Sequence, residues 1–567
     1  MIRVLAVVAF AACASDVRGP GVDVDRVLAH VDALAGLGPR PGDSATSRAA
    51  ADYIATHVPT VERMPVGEVE LPAIMVLGTL HRPLRPAHST DPDLLVRFGP
   101  PGKALLIMAH YDTVEGSPGA IDNAAAVGVL IELAKTFTAE PPAHPVILAF
   151  TANEEIGLVG AEALAERRGH EIALAIALDL IGGTGDLTIN GASTLIGSSE
   201  LHWLASAADR VGVTLRTPLP HRVISRWWPQ AERSDHGPFT RRGIRAIHFY
   251  NRGHDGELID LAYHSSRDVP ARVERDSVDA LARILRALTT EPIPPHDGDA
   301  FWLPLASNTV VPRWTLIAFC LVCAAGAIGL LATTRRRRGE GRLKLLVAIA
   351  CYAAAATLVV VFERLLARTP AHAAPWLHSP ARWLAGEVLL LAGMVGLASR
   401  WLARFAPWGG ERRYLAVAVI SQVAIGGGWL AIDAPELAWI WLVPALLASL
   451  APRLGRFGLV PILPLALPLI LVLSPDQLRE AAWNAFLPPS IPLGVWLTTL
   501  GFPSFAGLAW YLRVRDRTGP LGGLVLPLGC LLAMLVGSVL LVSSPPSCSS
   551  AKFHSFHLAC EVQGEVR

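Results

Sequence analysis

Apolar and polar positions follow two different rhythms along the chain. From Asp23 to about Glu291, short β-rich runs alternate with amphipathic helical runs. That alternation argues an α/β domain, a mixed and largely parallel sheet flanked by helices. The pattern predicts strands at Leu94–Phe98, Ala104–Ala109, Val146–Thr151, Ile172–Leu178, Leu187–Asn190 and Ala246–Tyr250. Between them it predicts helices at Asn123–Phe137, Val159–Arg167 and Glu200–Val211, with a final covering helix at Ala271–Leu288. The Pro-rich stretch from Pro292 to His296 reads as the start of a linker, 292–312.

Beyond it come eight apolar segments, at about 314–334, 345–365, 384–399, 414–432, 437–451, 458–474, 491–512 and 520–543. Several approach the roughly 20 residues that a membrane-spanning helix needs. The expectation is an all-α multi-spanning domain of about eight helices over 313–544, then a polar tail, 545–567. Arginine-rich connections at Arg335 to Arg338, Arg400 to Arg413, Arg453 to Arg456 and Arg513 to Arg517 occupy every second gap. Positively charged loops stay on the cytoplasmic side, so the residues before Val311 and the tail are expected outside it. At the other end, Met1 to Arg3 and the apolar run Val4 to Ala12 have the regions of an export segment, 1–22, cleaved as a signal or lipidated near Cys13.

Composition agrees with this division. At 567 residues the chain exceeds the roughly 250–300 residues at which single cores stop growing. It is 52% hydrophobic and 17% charged, with mean hydropathy +0.42, whereas soluble proteins carry about 25% charged residues. The lipid bilayer is therefore an expected partner. A formal net charge of +1 excludes a strongly basic nucleic-acid footprint. No cysteine falls between Ala14 and Phe319, so the domain needs neither disulfides nor thiolate ligands, while Cys548 and Cys560 could pair in an oxidising compartment.

The chemistry concentrates at strand ends. One strand runs into Ala109-His110-Tyr111-Asp112, followed by Ser117-Pro118-Gly119-Ala120-Ile121-Asp122-Asn123 opening a helix. In open α/β sheets, ligands bind beyond the carboxyl ends of strands. His110 can supply a nitrogen ligand, Asp112 can hold its ring, and Asp122 can bridge two metals, although Asp122-Asn123 alone reads as a plain N-cap. A second strand ends in Asn153-Glu154-Glu155-Ile156-Gly157-Leu158 and a third in Asp179. In a Glu-Glu pair one carboxylate can bind metal while the other moves a proton.

This succession resembles the zinc-dependent aminopeptidases of metallopeptidase family twenty-eight, which use two co-catalytic zinc ions. His-x-Asp, Gly-Ala-x-Asp-Asn, Glu-Glu-x-Gly-Leu, a strand-terminal Asp and a late Tyr-His occur in order, across about half the chain. Leu37-Gly38-Pro39-Arg40-Pro41-Gly42 and Ser234-Asp235-His236-Gly237-Pro238-Phe239 also look like family signatures. The resemblance implies a zinc-dependent exopeptidase-like domain over 23–291. It implies one zinc on His110, Asp122 and Asp179, and a second on Asp122, Glu155 and His264. Glu154 would be the general base, Tyr263 would hydrogen-bond the oxyanion, and Asp112 would orient His110. His254 is the rival to His264, disfavoured because the family has Tyr-His followed by an Asp. Asp235-His236 is expected to be structural, and His202, His221 and His248 to be bland.

The implied function is metal-assisted hydrolysis of peptide or protein substrates, as an aminopeptidase. A carboxypeptidase or a glutaminyl cyclase-like enzyme of the same fold is the alternative, or a non-catalytic receptor or assembly ectodomain, which the retained ligands disfavour. Arg226-Trp227-Trp228 could line a substrate pocket, touch the membrane or pack. The plan of an exported peptidase followed by many spans resembles the endoplasmic-reticulum metallopeptidases and their bacterial relatives. The Arg- and Ala-rich chain favours a bacterial plasma membrane with the catalytic domain extracytoplasmic.

Overall fold

The computed structural model describes residues 21–333 except 73, 77–78, 82–84, 185, 191–195, 217–231, 252–261, 297–299 and 303–309; beyond these it describes 411–454, 525–542 and short pieces elsewhere. The export segment, the Arg226-Trp227-Trp228 run, His221, His254 and the expected spans at 345–365 and 491–512 lie wholly or mostly outside the described residues.

The chain enters through two capped helices. In α1 (Val24–Gly36) the Asp23 carboxylate accepts from the backbone N–H groups of Asp25 and Arg26, and in α2 (Ala45–His57) the Ser44 hydroxyl accepts from Ser47 N–H. Then come β1 (Glu62–Val69), a small hairpin of β2 (Ile74–Val76) and β3 (Thr79–His81), β4 (Ala87–Phe98) and β5 (Ala104–His110). Next are α3 (Ala125–Ala139), β6 (Val146–Thr151), α4 (Val159–Arg168), β7 (Ile172–Leu178) and β8 (Leu187–Asn190). The domain continues with α5 (Ser198–Val211), β9 (Leu215–Arg216), α6 (His236–Arg241), β10 (Ala246–Asn251) and α7 (Arg275–Thr290).

Eight strands form one mixed sheet in the order β1-β4-β6-β5-β7-β10-β8-β9. The centre is parallel, β6 with β5, β5 with β7 and β7 with β10, and antiparallel pairing appears at β1–β4, β4–β6 and β10–β8. Every residue of β5 and β6 is buried, as expected for strands covered on both faces. Helices α1, α3, α5 and α7 pack as one group, while α4 and α6 pack together, α4 against β1 and β4 and α6 against β7 and β10. In α7, Val278, Leu281, Ala282, Leu285 and Leu288 recur at helical spacing and join the core.

All six strands expected from the sequence are present. The first of them begins at Ala87, further upstream, because its extension buries Asp91 and Asp93, charges that no alternation pattern marks as interior. Their oxygens satisfy backbone: Asp91 accepts from Asp43 N–H and Asp93 from Ala152 N–H.

Within 292–312, Ile293 and Val310 pack against the domain core, and β11 (Ala300–Trp302) pairs with β12 (Val310–Pro312). The helix Arg313–Ala332 follows directly. Among the described residues, Arg313–Ala332 and Pro435–Arg453 are long and apolar enough to cross a membrane. They pack together with the helix Glu411–Ala431. Arg313, at the start of the first, forms an ion pair with Asp433, in the turn between the other two. At its far end, Arg453 donates to Leu330 O and Thr333 Oγ1.

A polar knot joins α1, α2 and α3. His30 Nδ1 lies 2.7 Å from the Tyr53 hydroxyl and Nε2 lies 3.0 Å from Glu132 Oε1, an arrangement that neutral imidazole satisfies by accepting at one nitrogen and donating at the other. Burial lowers the His30 pKa, against the opposing pull of Glu132. A depressed folded pKa contributes stability that is present above the unfolded value, about 6.5, and is lost as pH falls below it. The thermal midpoint of a His30→Gln variant should therefore fall less than that of the parent between about pH 7.5 and 5.5. Parallel pH profiles from differential scanning would refute this.

Candidate metal centre

Three strand ends converge. His110 is the last residue of β5, Asp179 follows β7, and Glu154 and Glu155 lie in the turn after β6. Asp122 comes from the connection between β5 and α3. It is no N-cap: residues 120–124 form a turn with non-helical φ/ψ at Asp122 and Asn123, and α3 begins only at Ala125. His264 arrives from the segment before α7. Three residues flanking or forming these positions, Asn153, Leu180 and His264, hold positive φ of 57°, 54° and 54°. Such strain persists only where surrounding structure enforces it, and it clusters at functional sites.

The arrangement centres on Asp122. Its Oδ1 lies 3.1 Å from His110 Nε2, and its Oδ2 lies 3.1 Å from His264 Nε2. His110 Nε2 is also 3.5 Å from Asp179 Oδ1, and His264 Nε2 is 3.1 Å from Glu155 Oε2. Two ligand atoms about 2.0–2.1 Å from one tetrahedral zinc stand about 3.3 Å apart, so each His and two-carboxylate group has the spacing and donor chemistry of a zinc site. The potential ligand atoms of His110, Asp122 and Asp179 lie within 4.8 Å of one another, as do those of Asp122, Glu155 and His264. A third grouping, His110, Glu154 and Glu155, meets the same limit, which places Glu154 at the edge of the cluster.

Charge sharpens the picture. Burial opposes a charged His110, but Glu154, Asp112, Asp122 and Asp179 hold its pKa well above the ordinary value. His264 is likewise raised, to about 10, by Glu155 and Asp122 against its burial. Burial and neighbouring carboxylates push Glu155 up to about 7 and Glu154 well above its usual range. Carboxylates crowded this closely require cationic partners.

The supporting atoms are equally specific. Both oxygens of Asp112 accept backbone N–H bonds, from Glu154 and Glu155 at 3.1 Å each, and Oδ1 lies 3.6 Å from His110 Nδ1. Asp112 thus serves the Glu-Glu turn through its carboxylate and the imidazole through its main-chain carbonyl, which lies 3.1 Å from His110 Nδ1. Asp268, four residues after His264, accepts from the N–H groups of Ile121 and Asp122 at 2.7 and 3.1 Å. Nothing in the spacing of Asp268 from Asp122 along the chain marks this contact. The Tyr263 ring stacks on His264 at 3.6 Å. Asp235 accepts from the Thr151 hydroxyl, and His236 bonds Glu232, both buried. His248, expected to be bland, stacks between His236 and Tyr250 and reaches 4.0 Å from Asp179 Oδ2. His202 is exposed on α5.

Residues 95–289 match the model described as Peptidase family M28. Aminopeptidase YwaD of Bacillus subtilis is 28% identical over 198 residues, covering 33% of this chain and 40% of its own. A vacuolar membrane protease of Candida glabrata is 42% identical over 60 residues, covering 11% of this chain and 6% of its own. The chain thus spans less than half the length of these curated relatives. Among solved structures, the zinc aminopeptidase BSAP of Bacillus subtilis is 15% identical, with 48% of this chain and 95% of that one covered and a TM-score of 0.39.

The Asp122 turn depends on Gly119, whose φ is +63°. A Cβ there would meet the Thr113 side chain and the Asp122 carbonyl. Gly119→Ala is therefore expected to lower zinc retention after dialysis by at least about tenfold while the fold persists, within the about 10–100-fold range seen when support around a metal is lost. Unchanged zinc content by atomic absorption would contradict this account of the turn.

Proposed function

We propose that the chain, whose residues 95–289 match the Peptidase family M28 model, is a membrane-anchored, zinc-dependent metallopeptidase acting as an aminopeptidase through two zinc ions. The observation that carries this reading is the Asp122 carboxylate with one oxygen against each of two imidazoles, His110 and His264. Asp179 would complete one ligand set and Glu155 the other. Zinc bound there supplies polarisation of the scissile carbonyl and a lower pKa, about 7, for its water.

The chain's own groups divide the remaining work. Glu154, whose carboxyl is driven by burial to hold protons more tightly than usual, takes the proton of the attacking water and returns it to the leaving amine. The Tyr263 hydroxyl donates to the carbonyl oxygen as negative charge builds on it, its ring fixed against His264. Asp112 keeps Glu154 and Glu155 in register through their main-chain N–H groups and holds His110 from behind. In an aminopeptidase the free α-amine of the substrate needs a carboxylate near the metals, and Glu154 and Asp179 offer one.

The domain plan 23–291, 292–312, 313–544 and 545–567, behind an export segment 1–22, belongs to the same proposal. Its orientation is supported by the helix ends. Thr333, which precedes Arg335 to Arg338, lies with Arg453 at one end, and Arg313 lies with Asp433 at the other. By the positive-inside rule the first end is cytoplasmic, which puts the peptidase domain across the bacterial plasma membrane from it.

Two measurements test the reading. Glu154→Ala should lower kcat on a peptide with a free N-terminus by about 10²–10⁴-fold with zinc content retained, the usual scale for a lost general base. An N-acetylated peptide should resist the parent enzyme. Undiminished turnover in the variant would sink the mechanism, and cleavage of blocked peptides would sink the aminopeptidase assignment.

A further inference from the structure

Arg40 is 1% exposed and sits behind the ligand cluster. Its guanidinium makes hydrogen bonds to main-chain carbonyls: Nε to Tyr111 O at 3.0 Å, Nη1 to Leu34 O at 3.0 Å and Pro118 O at 2.6 Å, and Nη2 to Gly119 O at 3.2 Å. A longer contact reaches Gly38 O at 3.5 Å. Its own N–H donates to Thr113 Oγ1, and its carbonyl accepts from Thr113 N–H. A buried guanidinium is costly unless its donors are satisfied and opposite charge is near. Both conditions hold: its donors are taken by main-chain carbonyls, and the charges of Asp112, Asp268, Asp122 and Glu155 offset part of the effect of burial, which leaves its pKa lowered to about 10. At neutral pH it remains a cation.

The acceptors matter by position. Tyr111 directly follows His110, and Pro118 and Gly119 directly precede the turn that carries Asp122. One planar fork therefore spans the two stretches that deliver the 3.1 Å pair of His110 Nε2 and Asp122 Oδ1. The turn's donors are taken by the Asp268 carboxylate and its preceding carbonyls by Arg40, side chains of opposite charge from distant parts of the chain. A lysine could replace the charge but not the fixed multi-donor geometry.

Resting on the zinc-site reading above, we propose that Arg40 is a positioning residue: its guanidinium sets the separation of the His110 and Asp122 ligand atoms and thereby the affinity for the metal they share. It touches neither substrate nor metal.

The test uses the full chain with Arg40→Lys and Arg40→Ala, measuring zinc affinity by competition with a fluorescent chelator and folding of the zinc-free protein by near-ultraviolet circular dichroism. Arg40→Lys should stay folded and lose zinc affinity by about 10–100-fold. In Arg40→Ala, added guanidinium should restore at least part of the affinity, and ammonium should not, a readout that general destabilisation would not move. Parental affinity in folded Arg40→Lys would overturn the proposal, as would equal rescue by the two cations. Should Arg40→Ala fail to fold, the Arg40→Lys affinity alone decides. A parent chain that takes up no zinc would instead overturn the metal site itself.

Discussion

One carboxylate shared between two imidazoles organises the domain. For Asp122 to present one oxygen to His110 and the other to His264, its turn must leave helical geometry, and the backbone groups freed there need partners. Those partners are ionic side chains. Arg40 takes the carbonyls before the turn and Asp268 the N–H groups within it, while Asp112 performs the same service for the Glu154–Glu155 turn. The sheet supplies the frame, because three parallel neighbours, β6, β5 and β7, end at the same edge.

Much of this is legible in the sequence, and what is not has a physical cause. His110, Asp179 and the Glu pair stand out because each follows an unbroken apolar strand. Asp122 is ambiguous, since Asp-Asn before an apolar helix has the chemistry of a cap; only its three-dimensional neighbours separate the readings. Helix α2 is weak in the pattern although Ser44 caps it, because it is rich in alanine and shows little apolar stripe, whereas α1 carries Val24, Val27, Val31 and Leu34 at helical spacing. Strand β1 carries Pro65 and Gly67, and β4 buries Asp91 and Asp93, so both violate the alternation that marks a strand. Arg40 and Asp268 are recognisable within family signatures, yet the carbonyls and N–H groups they satisfy belong to residues far along the chain.

Two kinds of buried polar group therefore coexist in the domain. The knot of His30, Tyr53 and Glu132, to which Lys135 adds a charge at its edge, ties three helices together. The cluster around Asp122 gathers four carboxylates, Asp122, Glu154, Glu155 and Asp179, about two imidazoles. The first is what a folded core does with unavoidable polarity. The second is polarity concentrated at one place with the donor set and spacing that could hold a metal ion.

The junction with the apolar half has its own consequence. Val310 packs against the domain core, and Arg313 opens the next helix three residues later. Extended chain covers at most about 3.3–3.6 Å per residue, so no more than about 10 Å separates that core contact from the helix start. Were that helix set in a bilayer, this short connection would hold the sheet domain close against the membrane surface.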